Sequence, residues 1–336
     1  MAWFPHEEVG TAVGIYMSGG SLGQVVGTLL PSHLVIQPTI NGKENGTSWK
    51  VADRDVCLIM WGVPLVILLV VLAFILSMAS DYPPMPPTLV QSEARRKDTS
   101  SLTFRDFLKS CFELMKNKTY IVGCIAGSMI SSSYIIDVTM MPQLIKNVLH
   151  NSHSEFNPDI ISSYVIMSLS LGEFVGAIIG GRLVDKFRCH KRLISITSMG
   201  AVVCAASITI AYHWSSYQVP IAINLFFGCS CRCYLVSLIE ILTQISYPLE
   251  TTFATAVLRC LIFFSVVVEV EIGRIIFDKA GGVWLLIFQA TCTLIGMLLS
   301  LLIKVENKRL DAEELLTEQG EKSISETTRL MDEDAF

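Results

Sequence analysis

Leu65-Val66-Ile67-Leu68-Leu69-Val70-Val71-Leu72 is apolar on every face a helix could present, and it decides the fold. In water such a segment has no polar side to show, whereas a bilayer asks for none. It sits inside a run over 56–80, and seven other runs reach or approach the roughly 20 apolar residues that cross a membrane: 9–36, 120–145, 160–184, 193–212, 219–242, 252–277 and 283–303. Backbone amides find no water partners in hydrocarbon, so each run has to be helical. The alternation of a barrel strand is absent. Composition agrees: the 336 residues are 51% hydrophobic and 16% charged, with a mean hydropathy of +0.53, against roughly 25% charged in soluble chains. The expectation is an all-α, multi-pass integral membrane protein of about eight spans.

Other classes recede on the same numbers. A net charge of −5 without a basic stripe leaves nothing to neutralise phosphates, so nucleic acid is not a partner. Nearly all of the ten cysteines lie in apolar runs and read as small buried hydrophobes. Cys229, Cys231 and Cys233 invite a metal reading, but alternate residues on a helix splay by about 200° and cannot converge on one ion; no metal and no cofactor are expected. No nucleophile elbow, zinc-protease helix or phosphate loop occurs, so an enzyme is not expected. Met1–Glu8 lacks the layout of a signal peptide.

Lys and Arg set the orientation. One set of alternate connections (81–118, 182–192, 243–251 and the tail from 304) carries 17, the other (37–55, 146–158, 213–218 and 278–282) carries 5. The richer side is cytoplasmic, so the first helix exits the cytoplasm and the tail ends inside. Asn45-Gly46-Thr47 is a glycosylation sequon in a loop assigned outside. A second, Asn117-Lys118-Thr119, falls inside, where it could not be modified.

The 81–118 connection opens with Asp81-Tyr82-Pro83-Pro84-Met85-Pro86-Pro87, which cannot continue a helix. Phe104, Phe107, Leu108, Cys111 and Met115 then recur at helical spacing with Arg105, Lys109 and Lys116 nearby, as in a helix lying on the cytoplasmic leaflet. Six spans follow this linker and two precede it.

Gly181-Arg182-Leu183-Val184-Asp185-Lys186-Phe187-Arg188, followed by Lys191-Arg192, fills a short cytoplasmic connection. It resembles the G-x-L-x-D-R-x-G-R-R loop of the major facilitator superfamily. Gly181 permits close helix approach there, and Asp185 can accept hydrogen bonds from a neighbouring helix N-terminus. Gly181, Asp185, Lys186 and Arg188 are thus candidates for a lock that holds one face closed. Gly172, Gly176 and Gly180 add a small-residue face to the same helix. Transporters of this type join two six-helix halves through a long cytoplasmic loop. On that template about 8 of 12 spans are present: 1–80 holds the last two helices of the N-terminal half, 81–118 the linker, 119–303 the C-terminal half and 304–336 a disordered cytoplasmic tail. The first two helices would then lack four partners, and the chain alone is expected not to transport.

A narrower resemblance runs through Ala2-Trp3-Phe4-Pro5-His6-Glu7-Glu8-Val9-Gly10-Thr11, Leu22-Gly23, Gly27, Leu30-Pro31, Tyr82-Pro83-Pro84, Gly176-Ala177 through Asp185, Glu240 to Tyr247-Pro248, and Ile275-Ile276 to Asp278. In that order these resemble transporters related to the feline leukaemia virus subgroup C receptor. The resemblance implies movement of choline and ethanolamine by alternating access, with haem an older and disputed assignment. It also implies an aromatic cage for the quaternary ammonium, which a ring quadrupole attracts. The seventh-helix Tyr of that cage lands on Tyr134, the fifth-helix Gln on Ser21 and the eleventh-helix Gln near Phe263. The alternatives are a haem or organic-anion transporter of the same fold, or a non-transporting membrane protein such as a receptor.

Charged residues at membrane depth complete the candidate list, since each costs at least ~2.5–3.5 kcal/mol to insert. Asp137 lies one turn after Tyr134 and would suit an ammonium or a proton, or merely line water. Glu173 is mid-helix and pairs with Arg232 or Arg259 in either a structural or a proton-coupling role. Glu240 reads as part of the conformational lock. Glu269, Glu271 and Arg274 can snorkel outward. In the tail, Asp311-Ala312-Glu313-Glu314-Leu315-Leu316 resembles an acidic dileucine signal, with Leu315 and Leu316 for a sorting adaptor, or else a frayed turn. The expected partners are a small-molecule solute and the bilayer. The expected site is the plasma membrane, with endolysosomal and mitochondrial membranes as alternatives.

Overall fold

The computed structural model describes residues 8–34, 54–78, 104–151, 158–187, 190–212, 218–246 and 251–304. Among them lie nine helices: α1 (Val9–Leu34), α2 (Arg54–Met78), α3 (Phe104–Lys116), α4 (Lys118–Asn151), α5 (Pro158–Phe187), α6 (His190–Ala211), α7 (Gln218–Ile245), α8 (Thr251–Ala280) and α9 (Gly282–Leu301). The helices α4 to α9 contain six segments long and apolar enough to cross a membrane. The two earlier runs are also helices, of 26 and 25 residues, but do not join those six. Ser, Thr and Gly dilute α1, and the apolar part of α2 is the shorter Trp61–Ser77. Asn45, Arg188, Leu315 and Leu316 lie outside the described residues, as do Tyr82-Pro83-Pro84 and Tyr247-Pro248.

Asn117 turns out to be a helix cap. Its Oδ1 accepts from the backbone N–H of Thr119 at 3.1 Å and of Tyr120 at 3.4 Å, satisfying donors that the first turn of α4 would leave orphaned. Capping therefore accounts for an Asn in the second sequon.

Packing centres on α5, which lies between α1 and α7; α4 packs on α8 and α9, and α6 on α7 and α9. Small residues on two faces of α5 make this possible. Gly172, Gly176 and Gly180 face α7, where a Cβ on Gly180 would come within 2.9 Å of the Cα of Cys233. Gly181 instead faces α1, and a Cβ on Gly10 would meet its carbonyl oxygen at 2.9 Å. Helices in lipid gain little from burying apolar surface, so such close backbone approach supplies the association. Buried hydroxyls are satisfied: Tyr120 donates to the Ala254 carbonyl at 2.6 Å, and Tyr234 shares a 2.8 Å bond with Ser300. The Cys233 thiol donates to the Gly176 carbonyl at 2.9 Å.

The short α3 packs on α4 and α8 and buries Leu114 there. Leu108, Phe112 and Met115 point outward. In α2, Leu65 to Leu72 are between 47% and 64% exposed, so no face of that helix is buried against a described element, as its uniform apolarity requires.

Candidate functional site

Two polar features tie α1 to the six-helix bundle. The first is at the N-terminus of α1, where backbone N–H groups lack intrahelical acceptors and the helix dipole favours a negative charge. Asp185 of α5 supplies it. Gly10 N–H donates to Oδ1 at 2.8 Å, Thr11 N–H to Oδ2 at 2.7 Å, and the Thr11 hydroxyl to Oδ2 at 2.6 Å. One carboxylate thus caps a helix distant in sequence, and Gly10 and Gly181 let the backbones approach closely enough for it.

The second lies about 18 Å further along both helices, near the midpoint of α5. Glu173 is 3% exposed. Its Oε1 forms an ion pair with Arg232 of α7. Its Oε2 accepts from the Tyr134 hydroxyl of α4 at 2.7 Å and the Ser21 hydroxyl of α1 at 3.3 Å. Tyr134 Oη also lies 3.0 Å from Oε1 of Gln24. A phenol has one proton to give, and the charged acceptor at shorter range takes it. The Gln24 amide then serves this contact best when turned to donate its NH2 to the phenol oxygen. Arg259 of α8 belongs to the same layer, with Arg232, Glu173 and Tyr16 as its charged or ionisable neighbours and its guanidinium 3.9 Å from Met17 Sδ. Four helices (α1, α4, α5 and α7) therefore meet in one buried polar layer.

Of the two partners open to Glu173, the structure chooses Arg232. Tyr134 and Ser21 join that pair. Phe263 does not, since it is 61% exposed on α8. Asp137, expected on the Tyr134 face, is turned into the bundle: Gln289 of α9, Tyr212 beyond α6 and Cys231 of α7 are its neighbours. A step of three residues on a helix is about 60° short of a full turn, enough to carry the carboxyl off that layer. Ser133 likewise faces α9, accepting at its backbone carbonyl from Gln289 Nε2 at 3.2 Å. Glu240 is buried and accepts from Gln244 of its own helix at 2.9 Å. Lys186 lies 5.4 Å over the Phe187 ring. Of the three groups expected to snorkel, Glu271 and Arg274 are exposed and paired at 3.1 Å. Glu269 departs from that expectation: it is 4% exposed beside Ser132 and Cys292, because α4 and α9 cover its face of α8.

Gln24 was not legible by carrying a family position onto Ser21. It lies one turn further along and is the sole side-chain amide of α1, which is the signal that could have found it.

Asp185→Ala is expected to loosen the start of α1, at a cost of about 2–3 kcal/mol for charge-assisted bonds to two backbone donors. Hydrogen exchange read by mass spectrometry should show faster exchange over Val9–Val13 with little change in α7. Unchanged protection there would mean that the carboxylate does not hold α1.

The profile of the Major Facilitator Superfamily matches residues 1–268. Similar curated proteins include the zebrafish (Danio rerio) choline/ethanolamine transporters flvcr2b, 25% identical over 313 residues, and flvcr2a, 25% over 312. The rat (Rattus norvegicus) choline/ethanolamine transporter FLVCR2 is 25% identical over 315. Each alignment takes in 91% of this chain but 60%, 62% and 53% of those proteins in turn, so the chain spans little more than half the length of these relatives. With a profile match over most of its length, laid on an all-helical bundle, the chain belongs to the Major Facilitator Superfamily.

Proposed function

We propose that this protein moves a small solute across a membrane by alternating access, with choline or ethanolamine as the solute class. One observation carries the reading: Tyr134 of α4 donates to Glu173 of α5 in a buried layer that Ser21 and Gln24 of α1 complete. The α1 helix is the element that precedes the linker, so this layer joins the part before the linker to the part after it. The Asp185 cap sits below the layer, at the end assigned to the cytoplasm, and acts as a lock with Gly181. Rocking the two parts would break the cap and part the layer together. Lys186, Arg188 and Glu240 take supporting places at the same end. The relatives' printed substrates supply the choice of choline and ethanolamine, and Tyr134 supplies an aromatic ring for an ammonium. Asn45 as a glycan acceptor and Leu315-Leu316 as a sorting signal belong to the same proposal, with the plasma membrane as destination.

A second reading has its own observation. Arg232 and Arg259 stand against Glu173 alone in this layer, and an excess of positive charge favours a solute bearing an anionic group, haem with its propionates included. Ligand-induced thermal stabilisation of the purified protein separates the two, because a ligand that binds only the folded state stabilises it by about 2.7 kcal/mol at a hundredfold excess over Kd. Choline and ethanolamine should raise the unfolding midpoint, and haem or a simple organic anion should not; the reverse pattern selects the second reading. If choline binds, Tyr134→Ala should weaken it by up to roughly thirtyfold, about 2 kcal/mol of cation–π contact. Tyr134→Phe should lose less, since Phe keeps the quadrupole. Equal choline affinity in wild type and Tyr134→Ala would remove Tyr134 from the site.

A further inference from the structure

Asp137 is 1% exposed and neither of its carboxyl oxygens has a hydrogen-bond partner. Its enclosure is complete within the bundle. Gln289 of α9 faces it, but the Gln289 Nε2 donates to the Ser133 carbonyl. Tyr212 is close, but its hydroxyl donates to Met141 Sδ at 2.8 Å. What both leave toward Asp137 is acceptor oxygen. The other ionisable groups on elements packed around it are Cys231 of α7, Glu173 and Arg232 one helical turn away through Tyr134, and Glu269 and Cys292 toward α8 and α9. Arg232 is already held by Glu173.

An ionised carboxylate here would be a buried charge with no donor, which protein interiors do not sustain; the group takes up a proton instead. Protonated, it becomes a donor among acceptors. Glu269 repeats the pattern on α8, 4% exposed with both oxygens unpartnered. An ionisable side chain at membrane depth is by default a candidate for ion or proton handling.

We propose that Asp137 is a proton-binding site of the transporter, loaded while α4 packs on α9 as it does here and discharged when that contact opens to water. Loading forms an O–H bond on the carboxyl with a proton taken from bulk water, and discharge returns it to water. Because Asp137 and Tyr134 ride on the same turn of α4, the movement that hydrates one shifts the other. The solute layer and the proton site are thereby linked whatever the solute is.

Infrared spectroscopy of the purified full chain tests this directly. At neutral pH the spectrum should contain the carbonyl stretch of a protonated carboxylic acid that shifts when aspartate alone carries carbon-13 in its side-chain carboxyl. The band should vanish in Asp137→Asn and survive in Glu269→Gln. The isotope label keeps the test decisive if Asp137→Asn fails to fold, since it separates aspartate from glutamate in the wild type. The opening step has its own readout: alkylation of Cys292, which is 6% exposed on α9. Raising the pH should increase its labelling more steeply in wild type than in Asp137→Asn. Absence of an aspartate band at neutral pH overturns the proposal, and so does an identical pH profile of Cys292 labelling in the two proteins.

Discussion

Glu173→Ala should destabilise the protein by about 3–5 kcal/mol, because it leaves the Arg232 guanidinium inside the bundle without its anion. The damage has two separable parts. Arg232 loses its charge partner, and Tyr134 and Ser21 lose the oxygen that accepts from them. Glu173→Gln keeps acceptor capacity for the two hydroxyls and removes only the charge, so it should fall between wild type and Ala. Replacing both Glu173 and Arg232 by Met removes the stranded charge, and this double variant should be more stable than Glu173→Ala alone. Unfolding midpoints of the purified protein, compared at one heating rate, give the ranking. If Glu173→Ala unfolds where wild type does, the ion pair is not holding these helices.

That ranking also bears on function. A pair worth several kcal/mol when broken on one side can still be neutral when replaced whole, so Met at both positions should restore folding without restoring solute binding. Stability recovered together with ligand stabilisation would place the binding site elsewhere.

The fold was largely legible because its signals are local. Uniform apolarity over Leu65–Leu72 and its seven counterparts declares helices in a bilayer without any knowledge of neighbours. The Asp185 cap was legible too, since a carboxylate in a short loop beside a glycine has few uses other than a helix terminus. The partners of Glu173 were narrowed to two, Arg232 and Arg259. Choosing between them needed the packing of α5 on α7, which is set by Gly172, Gly176 and Gly228 meeting backbone across the seam. Asp137 and Glu269 were misread for one reason: burial of a helix face depends on which helix covers it. A lone sequence gives the period of a helix and not the azimuth of its neighbours.

The same seam carries the last prediction. Gly176→Ala adds one methyl to α5, but its Cβ would lie 2.7 Å from the Cα of Cys229, and backbone cannot rotate aside as a side chain can. Inserting even small groups into a packed interior typically costs about 1–3 kcal/mol, and a backbone neighbour puts this site at the upper end. Gly23→Ala is the control, because nothing stands within 4 Å of a Cβ there. It should be neutral or gain up to about 1 kcal/mol from helix propensity. Unfolding midpoints of the two single variants should therefore move apart, and equal midpoints would show that the α5–α7 seam is looser than described. The seam also sets the ion pair, since Gly172 and Gly176 flank Glu173 on the helix that must present it to Arg232. Gly176→Ala pushes α5 away from α7 and lengthens that contact, so its cost should shrink when Glu173 and Arg232 are both Met already. Neighbouring sites that share a contact couple by about 0.5–3 kcal/mol. A double-mutant cycle giving strict additivity would mean that the glycines pack the helices without positioning the pair.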